Sequence, residues 1–136
     1  MYDTVLVPID LSDDGKAELM LGVAQKLANP GALIVLTHVV EDIPAYVTAQ
    51  LPKGVFEERW TEASRRIEEI AATVGGRVEV EIRGGHAANT ILEAAAEKGA
   101  GVIVIASHRP GLQDYLIGST AARVVRHAQC SVFVLR

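Results

Sequence analysis

The sequence predicts an α/β fold: a doubly wound, five-stranded parallel sheet in the order 3-2-1-4-5, with helices on both faces. Short apolar runs alternate with amphipathic helical patterns along the 136 residues, which is typical of parallel βαβ units. Several runs are continuously apolar, as expected of strands that are buried on both faces. Apolar residues make up 49% of the chain and aromatic residues only 4%, a composition that favours an aliphatic α/β core over a disordered chain.

The first half of the chain predicts two strands and two helices. They are a strand at 4–9, a helix from Ser12 to the break at 29–31, a strand at 32–40 and a helix at 55–74. Pro8 cannot donate a ladder hydrogen bond, so the first strand ends there, and Ser12 is a favourable N-cap. The prolines and glycine of residues 41–54 predict irregular structure. The mixed charges of the second helix predict a solvated face.

The second half predicts three strands and two helices. They are a strand at 77–83, a helix at 86–98, a strand at 102–105, a helix from Ser119 to about His127 and a strand at 132–135. Residues 77–83 alternate strictly between polar and apolar, which predicts a half-exposed strand at a sheet edge. Gly84-Gly85 is expected to turn the chain. Right-handed crossovers restrict the topology, and the length predicts one domain, residues 1–136.

Charge and composition exclude several classes of function. The formal net charge is -4 and no run of Lys or Arg is present, so nonspecific binding to nucleic acid or to an anionic membrane lacks its electrostatic driving force. No apolar run approaches 18 residues, and no secretory leader pattern is visible. The single cysteine, Cys130, cannot form an intramolecular disulfide. We therefore expect a soluble cytoplasmic protein without membrane insertion.

Three predicted strand ends meet at one edge of the sheet. The strand order places a switch point between strands 1 and 4, and ligands bind outside the carboxyl ends of strands at such a point. Strand 1 ends at residues 8–10 and strand 4 at residues 106–108, while Val39 and Val40 end strand 2 beside them. We expect a pocket there, in which Asp10 accepts a hydrogen bond from an adenine amino group or a ribose hydroxyl, or lies near a metal. The alternative is that Asp10 caps the following helix.

Gly118-Ser119-Thr120 opens the last helix, and its amides, hydroxyls and positive dipole end suit a phosphate. The alternative is an ordinary capped helix start. In the preceding loop, Arg109 can pair with a phosphate in bidentate fashion, or it can form salt bridges within the loop or between subunits. No G-x-x-x-x-G-K-[ST] or G-x-G-x-x-G motif is present, which disfavours P-loop and nicotinamide enzymes. The four histidines lack a metal-binding spacing, so the sequence offers no positive evidence for a catalytic centre.

Three segments resemble the universal stress protein family: VLVPIDLSD near the start, LTHVVED after the second strand, and VIVIASHRPGLQDYLIGSTAARVVRHAQCSVFVLR at the end. The resemblance covers essentially the whole chain. The SHRP loop and the RHAQCSV ending are most similar to the single-domain F- and G-type branch, and also to a relative that regulates an osmolyte transporter. The resemblance implies a cytoplasmic stress-response role. It also implies a homodimer or homotetramer formed through the last strand, by Val132, Phe133, Val134 and Leu135.

Many members of that family bind ATP through G-x-x-G, nine residues and G-[ST], whereas others lack this motif and do not. Here Gly118-Ser119 matches the end of the motif, Ala106 stands at the first glycine, and Arg109-Pro110 replaces the second. Carried over position by position, the resemblance implies a site for ATP, with or without Mg²⁺. Its residues would be Pro8, Ile9, Asp10, Val39, Ala106, Ser107, His108, Arg109, Gly118, Ser119 and Thr120.

The resulting hypothesis is a non-enzymatic, ATP-binding universal stress protein that acts as a nucleotide-loaded regulator of the stress response. A first alternative is a nucleotide-free dimeric module that regulates a transporter or another stress protein, and the missing glycine favours it. A second alternative is a slow ATPase or phosphotransferase, for which the sequence provides neither a candidate base nor a Walker lysine.

Overall fold

The computed structural model describes residues 1–11, 14–41, 45–107 and 118–136. Its sheet has five parallel strands in the order β3-β2-β1-β4-β5. The strands are β1 (Tyr2–Pro8), β2 (Ala28–Glu41), β3 (Arg77–Gly85), β4 (Val102–Ala106) and β5 (Ser131–Leu135). The helices are α1 (Asp14–Leu27), α2 (Ala45–Thr48), α3 (Val55–Ala71), α4 (Ala87–Lys98) and α5 (Ser119–His127). The predicted fold class and strand order are confirmed. The expected N-cap Ser12 lies outside the described residues.

The sheet separates two hydrophobic cores. Side chains alternate between the two faces along each strand, so Val5 and Val7 of β1 pack on one side and Leu6 on the other. Buried residues of α1 and α3 complete the first core, and those of α4 and α5 complete the second. Val5, Leu6 and Val7 are fully buried, and each such side chain contributes roughly 1.5–3 kcal/mol relative to an exposed one. The central strand therefore holds both layers of helices in place.

The second strand begins earlier than the sequence pattern predicts. Residues 29–31, expected to separate the first helix from this strand, lie inside β2. The pairing of β1 with β2 is irregular there, because Tyr2 lies opposite Ala28 and Thr4 opposite Leu33. The Asn29 side chain donates a hydrogen bond to Asp3 Oδ1 at 2.8 Å, and Gly31 has a positive φ of 79°.

Two further expectations were wrong. Within the stretch predicted to be irregular, Ala45–Thr48 forms the short helix α2. Gly84 and Gly85 do not turn the chain but continue β3, opposite Val40 and Glu41. Gly85 has a φ of 139°, and a Cβ at this position would lie 2.7 Å from Thr90 Oγ1. Only glycine therefore fits at this position, where β3 leads into α4.

The edge position predicted for residues 77–83 is confirmed, since β3 is an outermost strand of the sheet and pairs only with β2. Its polar side chains form an ion-pair network with α4. Arg83 donates to Glu81 Oε1 at 2.8 Å and to Glu97 Oε2 at 2.6 Å, and Lys98 forms a salt bridge with Glu79. This network covers the half-exposed face of the edge strand. Among the helices of the described ranges, none is both long and apolar enough to cross a membrane.

Candidate functional site

A cleft of about 730 Å³ lies at the carboxyl ends of β1, β2 and β4. The parallel register brings these ends together, because Pro8 of β1 lies opposite Thr37 of β2, and β4 pairs with β1 on its other side. The helices α1, α3, α4 and α5 each contribute residues to its walls. The cleft therefore occupies the switch point that the strand order predicts.

The cleft brings together eight of the eleven residues predicted to bind a nucleotide. They are Pro8, Ile9, Asp10, Val39, Ala106, Gly118, Ser119 and Thr120. Ser107 is nearly buried, with 9% of its surface exposed, and is not among the residues that line the cleft. His108 and Arg109 lie outside the described residues. The residues predicted to form a dimer lie on β5, at the opposite edge of the sheet from β3.

Hydrogen bonds hold the end of β1 against β2. The Ile9 amide donates to the Thr37 carbonyl at 2.7 Å. His38 Nδ1 lies 2.8 Å from the Ile9 carbonyl, and since a carbonyl only accepts, Nδ1 carries the proton. The His38 ring therefore closes a second link between the two strand ends. Asp10 follows directly; it is exposed and lines the cleft.

The start of α5 provides donors on the side of the cleft next to β4. Gly118 is buried and extended, with a φ of -63° and a ψ of 158°, and no side chain caps the helix. Its carbonyl accepts from the Ala122 amide at 2.9 Å, which begins the helical ladder. The first amides of a helix have no partner within the helix. Those of Ser119 and Thr120 can therefore donate to an anion that occupies the cleft.

Among the described residues, three cationic side chains line the same cleft, and the sequence analysis did not place any of these three there. They are Lys16 of α1 and Arg59 and Arg66 of α3. Lys16 Nζ donates to the Ser107 carbonyl at 2.9 Å, and Arg66 Nη2 donates to the Leu11 carbonyl at 2.7 Å. The prediction that the charges of α3 form a solvated face was wrong for Arg66, which is half-buried, whereas Arg59 is exposed. Their seven-residue spacing places them on one face of α3, and this was the signal available in the sequence.

A buried hydroxyl links the cleft to the ion-pair network of β3. Thr37 is fully buried and lines the cleft, and its hydroxyl donates to Glu81 Oε1 at 2.6 Å. Partial burial alone raises the pKa of Glu81, but the hydrogen bonds from Arg83 and Thr37 outweigh it and leave this pKa below its ordinary value. Glu81 therefore stays ionised and anchors both side chains. Within the described ranges, no group of three or more His, Cys, Asp or Glu residues is arranged to hold a metal ion.

Comparison with known proteins gives the family. The model of the "Universal stress protein family" matches residues 1–136. The chain belongs to the universal stress protein family. Universal stress protein G of Escherichia coli O157:H7 is 31% identical over 142 residues, which cover 100% of both chains. The resemblance seen in the sequence is thereby confirmed.

Known structures of this fold include two nucleotide complexes. The hypothetical protein MJ0577 superimposes with a TM-score of 0.83 at 24% identity, covering 99% of this chain and 96% of the other. A universal stress protein in complex with cAMP gives a TM-score of 0.66 at 22% identity, covering 99% and 97%. The universal stress protein of Archaeoglobus fulgidus in complex with dAMP gives a TM-score of 0.69 at 21% identity, covering 99% of this chain and 98% of the other. At these identities the likeness shows that the fold is shared.

Proposed function

We propose that this universal stress protein binds an adenine nucleotide, ATP, in the cleft at the carboxyl ends of β1, β2 and β4. The observation that carries the proposal is that separate segments converge on one cleft with complementary chemistry. Polar acceptors lie at the ends of β1 and β2, and helix amides lie at the start of α5. The cleft volume of about 730 Å³ falls in the range of roughly 300–1,000 Å³ that small-molecule sites occupy.

The donors and acceptors suit the two ends of the nucleotide. At the base end, the Asp10 carboxylate accepts a hydrogen bond from the adenine amino group or a ribose hydroxyl, Val39 offers backbone groups, and Pro8 and Ile9 shape the wall. At the phosphate end, the amides and hydroxyls of residues 118–120 meet negative charge at the positive end of the α5 dipole. Mg²⁺ enters this proposal only as the counter-ion of the triphosphate. The cAMP and dAMP complexes of two other proteins with this fold support an adenine ligand.

The proposed role is regulatory and non-catalytic. A nucleotide shifts an equilibrium between two states of a protein only through its different affinity for them. We propose that nucleotide occupancy favours one assembly or partner-binding state of a homo-oligomer formed through β5. The exposure of Phe133, 39%, supports this surface, because β5 ends the sheet and pairs with β4 on one side only.

The test is direct. Protein purified without added nucleotide is denatured, and the supernatant is separated by anion-exchange chromatography. Melting of the same preparation is followed with and without millimolar ATP and magnesium. We expect a co-purified adenine nucleotide or a concentration-dependent rise of Tm. The absence of both would refute the proposal.

A nucleotide-free interaction module is the second candidate function, and one observation favours it. Ala106 lines the cleft at the position of the first motif glycine, and the second glycine is replaced in the sequence. Gly118→Glu separates the candidates, because a carboxylate at the buried start of α5 repels phosphate. This variant should lose nucleotide if ATP binds as proposed, and should leave oligomer formation unchanged if the protein acts without nucleotide. Gly22→Glu is the matched control, since Gly22 is exposed on α1 with open space around its Cβ position.

A further inference from the structure

We propose that Lys16 of α1 is a phosphate-binding residue of the cleft and makes the site discriminate nucleotides by the number of their phosphates. The proposal rests on the proposed function for the adenine part of the ligand. Lys16 is not part of the glycine motif, and it approaches the cleft from the opposite side to residues 118–120.

The position of Lys16 is set by a long-range contact. Lys16 lies in the first turn of α1, and its half-buried side chain crosses the carboxyl end of β4 to reach the Ser107 carbonyl at 2.9 Å. Ser107 itself is anchored, because its amide donates to the Leu135 carbonyl of β5 at 2.8 Å. The ammonium group is therefore held where β4 ends, in the cleft that Gly118 and Ser119 also line.

The partner that Lys16 contacts in this position is neutral. The Ser107 carbonyl accepts one hydrogen bond but carries no net charge, and an ammonium group has three N–H donors. Among the side chains that the structure describes, no carboxylate forms a salt bridge with Lys16. The cation therefore has donor capacity left for a phosphate oxygen, and lysine binds phosphate as a point charge without the strict geometry that arginine requires.

Lys16 also lies beside the altered motif. Ala106 precedes Ser107, so Lys16 reaches the chain next to the position where the family motif has its first glycine. A lysine at this point adds a charged donor to the cleft. The adenine end of the cleft, at Asp10 and Val39, belongs to β1 and β2. Lys16 is therefore expected to affect the binding of phosphates and not the binding of the nucleoside.

The experiment compares Lys16→Met with Lys26→Met by isothermal titration calorimetry at low salt, with ATP, AMP, adenosine and inorganic tripolyphosphate as ligands. Methionine keeps most of the apolar stem of lysine and removes the charge. Lys26 is a matched control, because it lies in the last turn of the same helix and is exposed, away from the cleft. Charge-assisted hydrogen bonds to phosphate predict a loss of about tenfold or more in ATP affinity for Lys16→Met. The loss for AMP should be smaller, and adenosine should bind unchanged.

The outcomes separate this inference from the proposed function. Equal ATP affinity of Lys16→Met and wild type would overturn the role of Lys16 while nucleotide binding stands. Equal losses for ATP and adenosine would also overturn it, because they would indicate a structural role. If wild type binds tripolyphosphate through Lys16 but binds no adenosine, the anion site is supported and the adenine proposal fails. If Lys26→Met loses as much ATP affinity as Lys16→Met, the affinity depends on the net charge of the protein and not on the position of Lys16. That result would refute the inference.

Discussion

The hydrogen bond between Thr37 and Glu81 connects the cleft wall to the edge strand, and Thr37→Val isolates its contribution to stability. Valine has almost the shape of threonine, so the substitution removes the hydroxyl without opening a cavity. The bond is 2.6 Å long and the donor is fully buried. A hydrogen bond to a charged group contributes about 1.5–3 kcal/mol. The buried valine methyl and the remaining bond from Arg83 offset part of the loss, so we expect a net destabilisation of about 1–2 kcal/mol.

The assay is urea unfolding at neutral pH, followed by circular dichroism, together with a thermal melt. For a chain of this size, each kcal/mol corresponds to a Tm change of roughly 3–5 °C. Thr73→Val is the matched control, because the Thr73 hydroxyl is exposed and donates only to the Ile70 carbonyl at 2.7 Å. Equal effects of the two substitutions would refute the reasoning, since the ionised partner and the burial would then contribute nothing.

The same bond has a predictable pH dependence. The folded-state pKa of Glu81 lies below its ordinary value, so the stability from its bonds is fully present above the unfolded-state pKa and is lost as the pH falls through the folded-state pKa. The difference between wild type and Thr37→Val should therefore shrink under acidic conditions. Unfolding curves at neutral and acidic pH measure it, and a difference that grows on acidification would contradict the assignment of Glu81 as the ionised acceptor.

Three further predictions concern other parts of the molecule. Gly85→Ala should destabilise the fold by about 1–3 kcal/mol, because a Cβ there would lie 2.7 Å from Thr90 Oγ1 and the φ is 139°. Gly84→Ala is the control and should be tolerated, since its Cβ would lie 3.4 Å from the Trp60 ring. Urea unfolding of the two variants measures the difference in their stability. Burial raises the pKa of the Cys130 thiol, so its alkylation by iodoacetamide at pH 8 should be slower than that of a cysteine in a free peptide. The alkylation should accelerate in urea. Equal alkylation rates in the folded and unfolded states would contradict the burial of Cys130. Phe133→Lys should shift the protein toward monomer in sedimentation experiments without lowering its nucleotide affinity, and an unchanged oligomeric state would exclude β5 as the interface.

The sequence predicted the strands, their order and the two layers of helices, because those features depend on local apolar patterns and general rules of chain connection. It failed where distant residues decide the local conformation. Residues 29–31 carry proline and glycine, which favour a break, yet they lie inside β2, where Asn29 donates a hydrogen bond to the distant Asp3. The helix α2 has only four residues, too few for a periodic pattern to identify.

The sequence predicted the strand ends and the helix start that form the candidate site, but not the long cationic side chains that reach it. Strand ends and helix starts are visible in a sequence as the points where apolar runs stop, so Asp10 and Gly118 were found. The destination of a flexible cation depends on the packing of its helix against the sheet. Arg66 was therefore assigned to a solvated face and Lys16 was not singled out, although both reach backbone carbonyls at the cleft.

The two outer strands of the sheet differ in their suitability for growth by strand addition. On β3, charged side chains are tied to α4, and glycines end the strand. Inward-pointing charges of this kind discourage another chain from continuing the sheet. On β5, Phe133 is left partly uncovered. A contact formed by β5 of both copies is self-complementary, and it occupies the open edge of β5 in each copy. Association through this edge therefore ends at a dimer and does not continue into a fibre.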